Sequence, residues 1–394
     1  MVDTDSSKTP MVRDDSQHDV SSGLAKSVIR IGLIGCGEIS QVSHIATLGY
    51  LSDYFQVTYL CDVSQRALEH CASKVHGPQP ALTQDAQQLC SSQEVDAVVV
   101  ASATAFHTTH AILALNANKH VFVEKPLALC YRDIEALNAA EQASTGRVFV
   151  GYMRRHAPAF EQALKEIGDR PVDYVRVRDI IGRNEIFVGQ SGTFPKQFND
   201  VSTADSSSLQ QANDDIATQA LSSEFGIPKN DDTILFLTIL GGLGTHDLSA
   251  MREAIGMPKA IKSACLRWPI WTATLDYGQF YAVYESGING VPVFDAHIEI
   301  YTSEKTVRVD YNTPYVRGLP TTVTIRELVT GPHGEQGYQE RTVRTTYEDS
   351  YTVEFKRWHE SMATGVASKT NIADAKQDVD LIKMLMQSAF GDGK

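Results

Sequence analysis

Two patterns of apolar and polar residues divide the chain into halves. In the first half, short apolar runs rich in Val and Ile alternate with stretches that have the spacing of amphipathic helices. Continuous apolar runs are typical of strands covered on both faces, and their alternation with helices predicts a parallel sheet. The runs lie at 27–35, 55–61, 95–102, 120–123 and 147–151. Residues 28–150 are therefore predicted to form a doubly wound α/β domain with a parallel sheet.

The second half has a different pattern, in which apolar and polar residues alternate over long stretches with few helices between them. Such alternation is typical of antiparallel strands that have one covered face. The alternating stretches lie at 172–181, 268–275, 279–285, 294–301, 306–311, 321–329 and 339–346. Helical spacing is found at 158–167, 233–255 and 352–363, and in a C-terminal helix at 371–390. Residues 151–394 are thus predicted to form an α/β domain with a large open, mainly antiparallel sheet.

Two polar segments fall outside these patterns. Residues 1–27 are rich in Ser and Asp and have no periodicity, which predicts a disordered tail. Residues 182–232 form a polar insertion that is much longer than ordinary connections, with a weak amphipathic helix predicted around 209–221. The insertion is either a lid that shapes a substrate site or a disordered loop, and the sequence leaves both interpretations open.

Composition and charge exclude several classes of protein. The chain has 394 residues, of which 42% are hydrophobic and 21% are charged, as in ordinary globular proteins. Its formal net charge of −13 disfavours nucleic acid or an anionic membrane as a partner. No apolar run approaches the roughly 20 residues needed to span a bilayer, and no secretory signal is visible. Six cysteines without a Cys-x-x-Cys pair indicate reduced thiols, a cytoplasmic protein and no metal site.

A glycine-rich turn follows the first predicted strand and points to a dinucleotide. Gly35 and Gly37 are followed by Ser40, which stands where a third small residue is needed at the start of a helix. Glycines at these places permit a tight turn and a close approach to a pyrophosphate. Asp62 ends the second strand, where a carboxylate would bind the ribose hydroxyls of NAD. Arg66, one helical turn later, would suit the 2′-phosphate of NADP, so NAD is predicted with NADP as the alternative.

Lys125 and His246 are the candidate acid–base groups. Lys125 stands in a Glu-Lys-Pro sequence at the end of the predicted strand 120–123, and ligands bind at this edge of doubly wound sheets. An amine beside a bound nicotinamide would hold or exchange the proton of a substrate hydroxyl. A solvated Lys before a turn is the alternative interpretation. His246 follows a glycine-rich helical stretch, where a hydrogen-bonded core histidine is the alternative.

With these residues, the chain resembles the Gfo/Idh/MocA family, which includes glucose–fructose oxidoreductase and inositol dehydrogenase. The resemblance covers residues 28–394. It is carried by Ile31–Gly37, Val95–Ala101 with His107, Val123–Leu127, Gly151–Arg155 and Gly244–Leu248. It implies a Rossmann domain followed by an α/β domain with an open sheet. It also implies an NAD(P)-dependent oxidoreductase that acts on a secondary alcohol of a sugar, glycoside or cyclic polyol.

The resemblance assigns expected roles to single residues. Lys125 would contact both the nicotinamide ribose and the substrate hydroxyl, and His246 would share the acid–base role. Substrate contacts are expected from Arg155, Asp179, Asp247 and Asp295. Cofactor contacts are expected from Gly35, Gly37, Glu38, Ile39, Asp62, Arg66, Ala101, His107, Glu124 and Lys125. A homodimer or homotetramer through the open sheet is expected as well.

One residue departs from the family pattern. Many members carry Asp four residues before the motif histidine, and this chain has Gly242 there. A carboxylate that would bind a substrate hydroxyl or support a proton relay is missing, so Asp247, Asp179 or the polar insertion would have to compensate. The departure keeps a second function open, that of a non-catalytic, cofactor-sensing regulatory protein of the same fold, like a corepressor. Retention of both Lys125 and His246 favours the enzyme.

Overall fold

The first domain is built around a six-stranded parallel sheet. The computed structural model describes residues 28–193, 195–319 and 321–391, and the predicted tail over 1–27 lies outside the described residues. The strands are β1 (Ile29–Ile34), β2 (Phe55–Cys61), β3 (Ala81–Thr83), β4 (Ala97–Val100), β5 (His120–Glu124) and β6 (Val148–Gly151). Their order across the sheet is β3-β2-β1-β4-β5-β6, and every neighbouring pair is parallel. The predicted doubly wound sheet is confirmed, with the short edge strand β3 added.

Helices cover this sheet because the connection between parallel strands needs a crossover. They are α1 (Ile45–Tyr50), α2 (Gln65–Ala72), α3 (Ala86–Ser91), α4 (His107–Asn116) and α5 (Tyr131–Gln142). A π-helical turn at Ser40–His44 leads into α1, and a 3₁₀ turn at Thr104–Phe106 precedes α4. Val98, Val99 and Val100 are fully buried. Burial on both faces of β4 explains the continuous apolar run in the sequence.

The second domain contains an eight-stranded, mainly antiparallel sheet, as predicted. Helices α6 (Met153–His156) and α7 (Pro158–Ile167) lead into its first strand. The strands are β7 (Tyr174–Ile181), β8 (Ala260–Cys265), β9 (Ile270–Asp276), β10 (Tyr281–Ile288), β11 (Phe294–Tyr301), β12 (Lys305–Tyr311), β13 (Thr322–Thr330) and β14 (Gln336–Val343). Their order is β14-β13-β12-β11-β7-β10-β9-β8, and only β7 and β10 among these neighbours run parallel.

The two faces of this sheet differ in chemistry. Along β7, Val175, Val177 and Asp179 are buried, whereas Arg176 and Arg178 lie on the other face and are only half-buried. Because side chains alternate between faces along a strand, one face belongs to the interior and the other is open and charged.

The polar segment after β7 contains regular structure rather than one long loop. It forms α8 (Asn184–Gly189), an extended stretch, α9 (Thr203–Ala217) and a π-helical turn at Thr218–Phe225. Ser202 caps α9, because its side chain accepts a hydrogen bond from the amide of Asp205. The extended stretch before α9 lies against the first domain, and its contacts are described below.

A long apolar helix covers the inner face of the second sheet. It consists of α10 (Asp231–Ile239) and α11 (Thr245–Ile255), joined without a break by a π-helical turn at Leu240–Gly244. By length and composition this helix is apolar enough to cross a membrane, but 61% of its most apolar window is buried inside the protein. Phe236 packs edge-on against Trp271 of β9, with ring centroids 5.8 Å apart. The apolar composition is therefore that of a core helix.

The C-terminal helices α12 (Ser350–Thr364) and α13 (Ile372–Phe390) follow the second sheet. Helix α12 packs on the first domain, where Phe355 stacks on Phe122 of β5 with ring centroids 4.8 Å apart. Trp358 stacks on Phe55 of β2 at 5.6 Å. The end of the chain thus holds the two domains together across one face of the first sheet.

Candidate active site

The turn after β1 has the geometry of a dinucleotide-binding loop. Gly35 has a φ of 102°, a region that favours glycine, and a Cβ there would lie 2.4 Å from the carbonyl oxygen of Ala101. Gly37 faces open space, since no atom lies within 4 Å of a Cβ built on it. Ser40 Oγ donates to the Gly35 carbonyl at 2.6 Å. The first glycine therefore allows the turn to pack against the end of β4, and the second leaves room for a ligand.

Asp62 borders the same turn from the end of β2. Its carboxylate accepts hydrogen bonds from the amides of Cys36 at 2.7 Å and Ser64 at 2.8 Å. These bonds fix the carboxylate beside the turn, and its oxygens keep lone pairs for the hydroxyls of a ribose. Arg66 is engaged elsewhere, because its guanidinium donates to Asn199 Oδ1 at 3.3 Å.

A cavity of about 730 Å³ opens above the glycine-rich turn. Its walls come from the first domain on one side and from the segment between α8 and Val201 on the other. Glu38 faces this segment, where Asn184 Nδ2 donates to its carboxylate at 2.9 Å, whereas Ile39 packs against the core of the first sheet. The residues present fit NAD(P), since they offer an open glycine position for a pyrophosphate and a carboxylate for a ribose.

Lys125 lies at the C-terminal end of β5 and is half-buried. Its Nζ donates to the carbonyl oxygen of Gly242 at 2.5 Å. This carbonyl belongs to the π-helical turn between α10 and α11, and such turns are frequent at functional sites. Burial lowers the pKa of Lys125, and the positive charge of Arg154 contributes in the same direction. Lys125 is thus an amine that holds its proton less firmly than an exposed lysine does.

Glu124 supports this lysine from the interior of the first domain. One of its carboxylate oxygens lies 2.9 Å from Nε2 of the buried His44. Burial alone would raise the pKa of Glu124, but His44 and Lys125 outweigh burial and bring that pKa below its usual value. The carboxylate of Glu124 therefore places a negative charge next to Lys125.

His107 links Pro126, the residue after Lys125, to Ser102, which follows β4. The ring is buried, with Nδ1 2.8 Å from the carbonyl oxygen of Pro126 and Nε2 2.9 Å from that of Ser102. Both nitrogens are thus occupied by the main chain. In this structure His107 holds two loops of the cofactor site together and does not itself present a free polar atom to the cavity.

His246 lies in the first turn of α11 and is half-buried. Its Nδ1 is buried and has no hydrogen-bond partner in the described part of the chain. Burial lowers the pKa of His246 well below its usual value, and the charges of Lys125 and Arg154 lower it further. The imidazole is therefore neutral near pH 7 and able to accept a proton. Gly242, whose carbonyl contacts Lys125, precedes His246 by about one helical turn, so the lysine and the imidazole lie near each other.

Arg154, from α6, forms a buried ion-pair cluster with two carboxylates. Its NH1 lies 3.2 Å from Asp179 Oδ2 and also contacts Asp247 Oδ1. Burial raises the pKa of Asp247 well above its usual value; Arg154 opposes this shift, and Asp179 adds to it. Asp179 and Asp247 are both 0% exposed. As the chain stands, these two expected substrate residues hold Arg154 in place rather than face solvent.

Polar atoms that lack a partner surround this cluster. Among the described residues, Asp179 Oδ1, Asp247 Oδ2 and the hydroxyls of Tyr284, Ser286 and Tyr311 are buried without a hydrogen bond. Buried polar atoms are normally satisfied by protein or by ordered water. The cluster therefore suits contact with water or with hydroxyl groups of a bound molecule. In the same described part of the chain, no three His, Cys, Asp or Glu side chains are grouped to hold a metal ion.

Arg155, an expected substrate residue, points away from this environment. Its Nε donates to Glu253 at 2.6 Å, and its NH1 contacts Asp374. These partners lie on α11 and α13, so Arg155 joins two helices of the second domain. The arginine beside Lys125 is its neighbour Arg154, because adjacent residues on a helix point in different directions.

Asp295, another expected substrate residue, also lies elsewhere. It is paired in register with Ile180 across β11 and β7, which places it on the opposite face of the sheet from Asp179. Its carboxylate accepts from Arg178 Nε at 2.6 Å on the open face. The expectation of a substrate contact is thus corrected by strand register, which the sequence alone did not reveal.

Sequence reasoning missed three parts of the site. Arg154 lies within the Gly151–Arg155 motif without an expected role, no role was expected for His44, and the carbonyl of Gly242 carries no side-chain signal. For His44, a signal was available in its position on the helical segment directly after the glycine-rich turn. The main-chain acceptor at Gly242 had no such signal.

The family profile described as "Oxidoreductase family, NAD-binding Rossmann fold" (GFO_IDH_MocA) matches residues 29–152. This range contains the glycine-rich turn, Asp62 and Lys125. Over these residues, the chain is similar to the Gfo/Idh/MocA oxidoreductases. The resemblance inferred from the motifs is thereby confirmed.

Gfo/Idh/MocA relatives with assigned names match the same part of the chain. Inositol 2-dehydrogenase of Paracoccus denitrificans (strain Pd 1222) is 33% identical over 148 residues, which cover 36% of this chain and 44% of that protein. A 1-carboxy-3-chloro-3,4-dihydroxycyclohexa-1,5-diene dehydrogenase of Comamonas testosteroni is 31% identical over 159 residues, which cover 40% of this chain and 38% of that protein. The chain therefore matches less than half the length of these curated relatives.

The likeness to solved structures extends over both domains. KijD10, a 3-ketoreductase from Actinomadura kijaniata solved in complex with NADP and TDP-benzene, superimposes with a TM-score of 0.67 at 16% identity. The alignment covers 92% of this chain and 98% of that chain. At this identity, the likeness shows that the two-domain fold is shared.

Proposed function

We propose that this protein is an NAD(P)-dependent oxidoreductase that transfers a hydride between the cofactor and a secondary alcohol of a sugar, glycoside or cyclic polyol. The observation that carries the proposal is the grouping of Lys125, a neutral His246 and Arg154 where β5 ends, next to the glycine-rich turn. Relatives named for inositol and for a dihydroxycyclohexadiene support a cyclic polyol as the substrate class. The proposal includes a cytoplasmic location.

Residues of the first domain would hold the cofactor. Gly35 and Gly37 admit the pyrophosphate, and Asp62 binds the ribose hydroxyls. When bound, NAD(P) supplies an acceptor for the hydride that leaves the alcohol carbon. NAD is the form that we expect, because the Asp62 carboxylate would lie beside the 2′-phosphate of NADP and repel it.

Lys125 and His246 handle the proton of the substrate hydroxyl. Lys125 donates a hydrogen bond to the hydroxyl oxygen and so favours the ionised form of the alcohol. The neutral imidazole of His246 takes the hydroxyl proton and returns it in the reverse direction. The low pKa of His246 keeps it in its basic form across the physiological range, which is the form that oxidation requires.

The main-chain carbonyl of Gly242 takes the place of the missing carboxylate. It accepts a hydrogen bond from Lys125 and so orients the ammonium group. A carboxylate at this position would also raise the pKa of Lys125, whereas an uncharged carbonyl leaves that pKa lowered. We infer that proton transfer in this protein works with an orienting Lys125 and a basic His246 and without an Asp relay.

The Arg154 cluster forms the wall of the substrate site in this proposal. Asp179 and Asp247 act through Arg154, which they hold in place on the interior face of the second sheet. Tyr284 and Ser286 are fully buried beside this cluster, so Arg154, Lys125 and His246 are the groups that would face the substrate. Several donors and acceptors in one place suit a ring that carries several hydroxyl groups.

The open face of the second sheet is our proposed contact between copies of the chain. It carries paired charges, among them Arg176 with Glu285 at 2.8 Å and Arg178 with Asp295 at 2.6 Å. Such a face is able to meet the same face of a second copy about a twofold axis. A homodimer, or a homotetramer built from two dimers, would leave the cofactor cavity accessible on the other side of the sheet.

A turnover assay separates the enzyme from a cofactor sensor. Purified full-length protein is mixed with NAD or NADP and a panel of inositols, sugars and glycosides, and reduced nicotinamide is followed by its absorbance. The proposal expects turnover with at least one polyol and its loss in Lys125→Ala. Tight cofactor binding without turnover across the panel would instead favour the cofactor-sensing regulatory protein.

A further inference from the structure

Residues 195–201, here called the strap, cross from the second domain over the outer side of the cofactor cavity. The strap is held to the glycine-rich helix by Gln41, whose side chain makes two hydrogen bonds to the main chain of Lys196, at 2.8 and 3.0 Å. Phe198 and Val201 line the cavity, together with Ser64 of the first domain. The polar insertion thus contributes directly to the wall of the cofactor site.

The strap ends in a carboxylate that sits on the start of α2. Asp200 Oδ1 accepts from Ser64 Oγ at 2.5 Å, and Asp200 Oδ2 accepts from the amide of Arg66 at 3.0 Å. Ser64 and Arg66 follow Asp62 by two and four residues, so Asp200 lies just beyond the carboxylate that would bind the ribose. These hydrogen bonds lower the pKa of Asp200, which is therefore ionised near neutral pH.

The same groups are those that a 2′-phosphate would need. In dinucleotide-binding domains the acidic residue after the second strand binds the ribose 2′-hydroxyl, and an arginine nearby accommodates a 2′-phosphate. Here the hydroxyl of Ser64 and the amide of Arg66 are both taken by Asp200. The guanidinium of Arg66 donates to Asn199 at 3.3 Å and lies 5.6 Å from the ring centre of Phe198. The Ser64 hydroxyl, the Arg66 amide and one guanidinium nitrogen of Arg66 are thus engaged by the strap.

We propose that Asp200 sets the cofactor preference of this protein: its carboxylate occupies the place of a 2′-phosphate and reserves the site for NAD. The inference rests on the proposed function only in requiring that the chain binds NAD or NADP. NADP would have to displace the carboxylate or bring a doubly charged phosphate next to it. Like charges in contact repel each other, so either way NADP binding is weakened. NAD meets no such conflict, because its 2′-hydroxyl is uncharged and can donate a hydrogen bond to a carboxylate.

The test measures affinity rather than turnover. Dissociation constants of NAD and NADP are determined by calorimetry for the full-length protein, for Asp200→Asn and for Asp200→Ala. We expect the wild type to bind NAD more tightly. Both variants should narrow the ratio of the two constants by about tenfold or more, mainly through tighter NADP binding. Asp53→Asn, a change of the same charge at an exposed turn, is the matched control and should leave the ratio within about twofold.

A double variant tests which group meets the phosphate once Asp200 is gone. Arg66→Ala combined with Asp200→Asn should lose most of the gain in NADP affinity, because the guanidinium of Arg66 is the nearby cation that a 2′-phosphate would meet. An unchanged affinity ratio in both Asp200 variants, with NAD binding intact, would overturn the role of Asp200 alone. A wild type that prefers NADP would also overturn it. Failure of the wild type to bind either cofactor would overturn the proposed function as well.

Discussion

Replacing Gly242 with Asp restores the carboxylate that many relatives carry, and the structure says what that charge should do. No atom lies within 4 Å of a Cβ built on Gly242, so the new side chain has room. The Gly242 carbonyl oxygen lies 2.5 Å from Lys125 Nζ. Since a carbonyl oxygen is about 2.4 Å from its own Cα, Nζ lies within about 5 Å of that Cα. An Asp carboxylate extends about 2.5–3.6 Å from its Cα, so a side chain turned partly towards Nζ would stand about 4–6 Å from the lysine charge.

The expected effect is a higher pKa for Lys125. Two opposite charges about 5 Å apart attract by about 3 kcal/mol at an effective dielectric constant near 20. One pKa unit corresponds to about 1.4 kcal/mol, so the pKa of Lys125 should rise by about 2 units. The rise opposes the lowering by burial that the wild-type site imposes. Lys125 would then stay protonated to higher pH.

The pH profile of kcat/KM decides between two roles for Lys125. In the first role, Lys125 orients the hydroxyl as a cation and His246 is the base. Gly242→Asp should then shift only the alkaline limb of the profile, to a pH up to about 2 units higher, and leave the rate at pH 7 within a few-fold of the wild-type rate. Gly242→Asn has nearly the same shape without the charge and should leave both limbs in place. An acid limb that moves upward, with a rate at pH 7 reduced about 10- to 100-fold, would refute this account and make Lys125 the base.

Three further predictions follow from the same site. Lys125→Ala and His246→Ala should each lower kcat about 10²–10⁴-fold with a near-native circular dichroism spectrum. Because burial lowers the pKa of His246, the wild-type kcat/KM should increase with pH up to about pH 6 and stay level from pH 6 to pH 8. An increase confined to pH 6–8 would contradict that environment of His246. Gly35→Ala should destabilise the protein in urea unfolding, because its Cβ would meet Ala101, whereas Gly37→Ala should keep stability and lose only cofactor affinity; equal stability losses would show that Gly37 is not a ligand position. Arg154→Met should lower the unfolding free energy by about 3–5 kcal/mol, because it leaves two buried carboxyls without their cation. Arg326→Met, at an exposed ion pair, should lower it by under about 1 kcal/mol, and similar losses for the two variants would contradict the role of Arg154 in the buried cluster.

Much of the fold followed from periodicity, and the exceptions have physical reasons. The apolar runs predicted β1, β2, β4, β5 and β6, because strands buried on both faces carry a continuous signal. Two strands were not predicted. The edge strand β3 has three residues, and β8 is largely exposed at the other sheet's edge, so neither has a covered face to impose a pattern.

The candidate site was predictable only where the sequence carries a side-chain signal. Along 172–181, Val175 and Val177 mark the interior face by alternation, and Asp179 follows in the same phase. The face of Asp295 depends on its register against β7, and the choice between Arg154 and Arg155 depends on the direction of a four-residue helix. Neither follows from a single chain's sequence, since both are set by tertiary contacts.

The strap illustrates the same limit from another side. Its residues have the composition of a polar insertion. Their sequence does not predict that Asp200 accepts a hydrogen bond from Ser64, 136 residues earlier in the chain. A carboxylate that acts on a site in the other domain becomes visible only when the two domains are placed together.

A single-turnover measurement tests the central claim most directly, because it does not require the cofactor to leave the enzyme. Full-length protein in excess over NAD is mixed rapidly with each polyol of the panel, and the absorbance of reduced nicotinamide is recorded over time. The account predicts that at least one polyol reduces the bound NAD, and that Lys125→Ala slows this step at least about 100-fold. Firmly bound NAD that no polyol in the panel reduces, or an equal rate in Lys125→Ala, would contradict it.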